Sequence, residues 1–140
     1  VRYEIEKQLV NGNISVGDLP EFWNSKMEEY IGVTPPNDTK GVLQDIHWSM
    51  GAIGYFPTYT LGNLYAAQLY AAALADDPSI PDKIAKGQFT VLLDWMRSHI
   101  HVHGSKLLPV DLMTQATGKA PSSDDFVKYL QSKYTKIYGL

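Results

Sequence analysis

Three groups of side chains in this sequence have the types and spacing to do chemistry. The first is Gln44-Asp45-Ile46-His47-Trp48. A carboxylate two residues from an imidazole can fix its tautomer and raise its basicity. Such a histidine can donate a hydrogen bond to a developing oxyanion or to a substrate carboxylate. The same pair could instead satisfy each other in a core or cap helix ends. The second group is Gly54-Tyr55-Phe56-Pro57-Thr58-Tyr59. Two phenols four apart beside Gly and Pro could point hydroxyls into a cleft and hold a carboxylate or an oxyanion. Aromatics at that spacing also fill cores. The third is His99-Ile100-His101-Val102-His103. On a strand, these imidazoles share a face, one way to hold zinc. On a helix they diverge, and Gly104 after a helical pattern favours a helix end, where basic groups suit the dipole.

Several patterns are missing. There is no H-E-x-x-H, no G-x-S-x-G and no phosphate-binding glycine loop. His99 and His103 are four apart, but Ile100 stands where a metalloprotease helix carries its glutamate base. The residues alone assemble no complete catalytic apparatus.

The elements that must position these groups read as helices throughout. Arg2 to Val10 forms a helix with Tyr3, Ile5, Leu9 and Val10 among charged neighbours, stopped by Asn11-Gly12-Asn13. Asp18 serves as N-cap and Pro20 sits in the first turn of a second helix, which places Leu19, Phe22, Trp23, Met27, Tyr30 and Ile31 at helical spacing before Gly32. Thr34-Pro35-Pro36-Asn37-Asp38 is a loop. Gly41 to Tyr59 is the least generic stretch, rich in Gly and aromatics and holding the first two candidate groups. Helices are predicted from about Thr58 to Ala75 and from about Pro81 to His99. A shorter one follows over Pro109 to Thr117, closed by Gly118. The last begins at Ser122 or Ser123, with Phe126, Tyr129, Leu130 and Tyr134 turned inward. No linker or repeat divides the chain, so a single helical domain over 1–140 is expected.

The chain has 140 residues, within the roughly 100–200 typical of one domain. With 44% hydrophobic and 19% charged residues it can bury a core and is not a disordered tail. A net charge of -3 lacks the electrostatic footprint of a nucleic-acid binder. The absence of cysteine excludes disulfides, thiolate metal sites and cysteine nucleophiles. The apolar stretch around Leu64 to Ala75 is too short to span a bilayer. No signal-peptide pattern opens the chain, so neither membrane nor secretion is expected and the location is expected to be cytoplasmic.

Gly41-Val42-Leu43-Gln44-Asp45-Ile46-His47-Trp48 resembles the signature G-x-x-Q-D-x-H-W of the metallocarboxypeptidases of the thermostable carboxypeptidase Taq family, with all five fixed positions in agreement. The likeness continues through Gly54 to Tyr59 and Leu61 to Gln68. It takes in Arg2 to Lys7, Asp18-Leu19-Pro20, His103 to Lys106 and the closing Tyr134 to Leu140. It covers essentially the whole chain. Family members are much longer, so the resemblance implies the C-terminal part of a larger, mostly helical fold. The H-E-x-x-H zinc helix, a further glutamate ligand and the carboxylate-binding I-R-x-x-A-D motif would precede Val1.

The resemblance further implies that His47 and Tyr59 face the metal site. Tyr59 would bond the substrate carboxylate or the tetrahedral oxyanion, and His47 would donate to the same charge. Asp45 would orient His47, while Gln44, Trp48 and Tyr55 would shape the pocket. Zinc or another divalent metal belongs to the full-length enzyme, and none is expected on this chain alone, which should be inactive. Expected partners are peptide substrates, the remainder of the same enzyme and a second copy in a homodimer, with exposed apolar surface where these pack. Two other readings are a non-catalytic helical interaction domain and a metal-binding protein using His99, His101 and His103.

Overall fold

The computed structural model describes residues 1–140 and is all-helical, without a strand. Its helices are α1 (Arg2–Val10), α2 (Leu19–Ile31), α3 (Pro57–Asp76), α4 (Ile80–Ala85), α5 (Thr90–His99), α6 (Pro109–Thr117) and α7 (Asp124–Tyr138). Short 3-10 turns occupy Val16–Asp18 and His101–His103. None of the helices is long and apolar enough to cross a membrane. The chain divides into two compact units, Val1–Thr60 and Leu61–Leu140.

The first unit packs around Ile5 of α1, Trp23 of α2 and Val42, with Leu9, Phe22, Met27 and Trp48 against them. Trp23 is fully buried and meets Trp48 edge to face, at 6.3 Å between centroids. α2 ends at Gly32, whose φ of 71° closes the helix at low steric cost. Between α2 and α3 lies a long stretch with turns and bends but no helix or strand. Structureless segments of that length inside a compact unit are usually functional. This one is nonetheless tied by local backbone bonds, including Leu43 N to Asp38 O at 2.9 Å and Ala52 N to His47 O at 2.9 Å.

The second unit packs Ala73 of α3, Ile80 of α4 and Trp95 of α5, supported by Leu69, Tyr70, Leu74, Ile84, Leu92 and Met96. A buried Gln68 organises its polar interior. Its amide nitrogen donates to Thr117 Oγ1 at 2.8 Å, Lys119 O at 3.1 Å and Ala120 O at 3.2 Å. Its oxygen accepts from the Ser122 amide at 3.1 Å. Every polar atom of this side chain is therefore satisfied, as a buried amide requires.

Three local expectations are corrected. The helix predicted over Pro81 to His99 is two helices, α4 and α5, parted at Lys86–Phe89. Gly87 there adopts φ 76°, which breaks the helical run. Asp18 occupies the N-cap position of α2, but its side chain makes no capping bond there. Its carboxylate turns back to the Ser15 amide at 3.0 Å and hydroxyl at 2.7 Å, capping the 3-10 turn instead. On α7, Phe126 and Leu130 are half-buried, but Tyr129 and Tyr134 are exposed, with the Lys133 ammonium 5.5 and 5.7 Å from their ring centres.

Candidate active site

Asp45 and His47 lie on the irregular stretch, and Pro57 starts α3 two residues before Tyr59. Proline suits that first turn because its missing N–H would have no helical partner. Thr58 Oγ1 donates to Tyr55 O at 2.6 Å and the Thr58 amide to the same oxygen at 3.0 Å, so Tyr55 is tied to the helix start. Tyr55 and Tyr59 consequently meet edge to face at 5.4 Å and 89°.

The His47 ring fills the space beside them. It stacks on Tyr55 at 5.8 Å and 24°, lies tilted over Phe56 at 4.8 Å, and meets Tyr59 edge-on at 6.0 Å. Its Nδ1 is 3.3 Å from Asp45 Oδ1, which also accepts the His47 amide at 3.2 Å. Its Nε2 is 3.0 Å from the Tyr59 hydroxyl. An ionised Asp45 only accepts, so Nδ1 carries a proton, and in the singly protonated ring Nε2 is the acceptor for the Tyr59 hydroxyl. Tyr59 itself is 53% exposed, which leaves its hydroxyl within reach of a ligand.

Asp45 is held as a carboxylate. Burial acts to raise its pKa. This is outweighed by the His47 amide, the Arg2 charge and the hydrogen bonds from Arg2 and His47, which together keep it below the usual aspartate range. Arg2 reaches Asp45 Oδ2 with Nε at 2.8 Å and Nη2 at 2.7 Å. The guanidinium carbon lies 5.1 Å over the ring centres of both Trp23 and Phe56, within cation–π range of each. A line of contacts thus runs Arg2, Asp45, His47, Tyr59.

The structure brings together Asp45, His47, Tyr55 and Tyr59. Trp48 meets Phe56 edge to face at 6.0 Å, and its indole N–H donates to Glu6 Oε1 at 2.8 Å. Gln44 is exposed and its side chain makes no hydrogen bond. Arg2 and Glu6 were missed by sequence reasoning. The available signal was their spacing, since positions 2, 5, 6 and 9 share one helical face with Ile5 and Leu9. Charged residues on an apolar face must find partners.

His99, His101 and His103 do not line one face of a strand, because α5 ends at His99 and a 3-10 turn follows. His99 stacks on Trp95 at 4.3 Å and donates from Nδ1 to Trp95 O at 2.9 Å. Nowhere in the chain do three His, Asp or Glu side chains converge to hold a metal ion. The residues present therefore do not fit a resident metal.

The family model for the Carboxypeptidase Taq (M32) metallopeptidases matches residues 1–134. The chain is 47% identical over 139 residues to thermostable carboxypeptidase 1 of Thermus thermophilus, covering 99% of this chain and 27% of that protein. It is 41% identical over 140 residues to carboxypeptidase 1 of Bacillus subtilis, covering 28% of that relative. Among solved structures it is similar to an M32 carboxypeptidase from Deinococcus radiodurans R1, with a TM-score of 0.95, 38% identity, and 99% of this chain and 28% of that one covered. The likeness to Trypanosoma cruzi metallocarboxypeptidase 1 has a TM-score of 0.90 at 40% identity, over 95% of this chain and 28% of that one. The chain thus spans about a quarter of the length of the curated relatives it matches. With nearly all of its residues matched and its helices superposing on those structures, this chain belongs to the Carboxypeptidase Taq (M32) metallopeptidase family.

Proposed function

We propose that this chain forms the substrate-facing wall of a metal-dependent carboxypeptidase that hydrolyses the last peptide bond of peptides. The observation that carries the reading is the Tyr59 hydroxyl, half exposed and 3.0 Å from a His47 ring whose other nitrogen faces Asp45. Tyr59 donates to the peptide's terminal carboxylate or to the oxygen that becomes negative when the bond is attacked. Its hydroxyl hydrogen turns from Nε2 to that ligand, the freed Nε2 takes up a proton from solvent, and the doubly protonated His47 then donates from Nε2 to the same charge. Asp45 stabilises that imidazolium, and Arg2 holds Asp45 in place. Tyr55, stacked on His47, limits the ring's rotation.

No step is routed through a metal, because this chain assembles no ligand set. By the family resemblance the divalent metal, zinc in this reading, is held by residues outside these 140. The same reading has the exposed Ile31, Val33, Leu43, Ile46 and Met50 pack against the remainder of the enzyme. It also includes a cytoplasmic location and a homodimer.

The test is Tyr59→Phe in the whole enzyme. Turnover should fall by about 10²–10³-fold, as on losing one oxyanion donor, with metal content and melting temperature unchanged. Unchanged turnover, or a matching loss of metal, overturns the assignment.

A further inference from the structure

Glu6 is a charged side chain in the wrong place for a solvated one. It is 4% exposed, beside the fully buried Ile5, and no Lys, Arg or His pairs with it. Burying an unpaired carboxylate is costly unless hydrogen bonds satisfy it. Two do, and both come from far along the chain. Trp48 Nε1 donates to Oε1 at 2.8 Å and the Gly54 amide donates to Oε2 at 3.2 Å.

The two donors bracket the candidate site. Trp48 directly follows His47, and Gly54 directly precedes Tyr55, whose ring stacks on His47. One carboxylate on α1 therefore holds both ends of the stretch that presents the imidazole. Packing does not do this alone. A cavity of about 280 Å³ opens beside Glu6, lined also by Tyr3, Lys7, Ile53, Gly54 and Pro57. The Gly54 side of the stretch thus has room to relax when the tie is cut. Gly54 also takes φ 77°, a left-handed conformation suited to glycine, at the residue whose amide Glu6 receives.

We propose that Glu6 is a positioning residue for the His47–Tyr59 pair, fixing the imidazole through the Trp48 indole and the Gly54 amide. Its effect on turnover rests on the functional reading above. The geometric claim, that Glu6 sets where the His47 ring sits, does not.

Glu6→Gln in the whole enzyme is the test, because it keeps shape and removes one acceptor of two. Turnover should fall roughly 10- to 100-fold, the cost of a small misplacement from outside the reacting groups. On a Tyr59→Phe background the same change should cost under about threefold, because the pair it positions is already broken. A merely structural Glu6 would lower both backgrounds equally. The second readout is the ¹⁵N resonance of His47 Nε2, which should shift in Glu6→Gln. Equal losses in both backgrounds, or an unmoved His47 resonance, overturn the proposal. A shifted resonance with a Tyr59→Phe enzyme of full turnover would uphold the positioning and remove only the functional reading.

Discussion

His47 and His99 both lie against an aromatic ring, yet their surroundings are built differently. His99 makes its hydrogen bonds within one turn of α5, the Trp95 ring lying at 4.3 Å and the Trp95 carbonyl at 2.9 Å, and only its Nε2 faces another helix, 4.0 Å from Asp76 Oδ2 at the end of α3. It finishes a helix and completes the packing of the second unit. His47 depends on residues dispersed over the first unit. Asp45 takes one nitrogen, Tyr59 the other, and Arg2 secures Asp45 from 43 residues away. An imidazole satisfied locally serves the fold, whereas one held by distant residues with a half-exposed phenol on its free nitrogen is arranged for a ligand.

Replacing each histidine by phenylalanine breaks or sharpens this contrast most strongly. His47→Phe in the whole enzyme should lower turnover by about 10²-fold or more. His99→Phe keeps its stack, should cost no more than about 1 kcal/mol of stability, and should leave turnover intact. Steady-state kinetics with urea unfolding compares them, and equal kinetic effects would erase the distinction.

Gln68 extends the comparison to polar groups, since it ties the second unit as Glu6 ties the first. Gln68→Ala orphans the Ser122 amide and should cost about 1–3 kcal/mol in urea unfolding. Turnover per folded molecule should not change.

The smallest effect is the response to acid. Asp77 is held at about 2 by the Ser79 hydroxyl, the Lys83 ammonium and the Ser79 amide. Asp45 is also lowered, against its burial. A carboxyl lowered in the fold binds its proton more readily when unfolded. The stabilisation is therefore complete above the ordinary aspartate range and lost as pH falls through the folded value. For Asp77 that window runs from 3.8 down to about 2. Asp77→Asn should flatten the fall of the urea midpoint across it, and an unchanged slope would remove the ion pair from the account.

Much of this was legible in the sequence because the signals were local. α1, α2 and α6 begin and end close to where their periodicity and their Asn or Gly stops put them. His47 and Tyr59 were readable as candidates from motif and spacing. The break at Gly87 was written in the chain but hidden by the apolar stripe running through Ile84, Leu92 and Trp95. Tyr129 and Tyr134 show the limit of periodicity, which finds an apolar face without saying whether anything covers it. Arg2 and Glu6 were missed because their partners lie 42 to 48 residues away. Only the folded chain brings those partners into reach.

The most direct measurement is a crystal structure of the whole enzyme with a peptide-like inhibitor in its cleft. The account predicts the Tyr59 hydroxyl at hydrogen-bond distance, about 2.7 Å, from the inhibitor's terminal carboxylate or its oxyanion mimic, with His47 Nε2 beside the same charge. An inhibitor bound with both groups beyond contact, and Tyr59 still bonded only to His47, would contradict it.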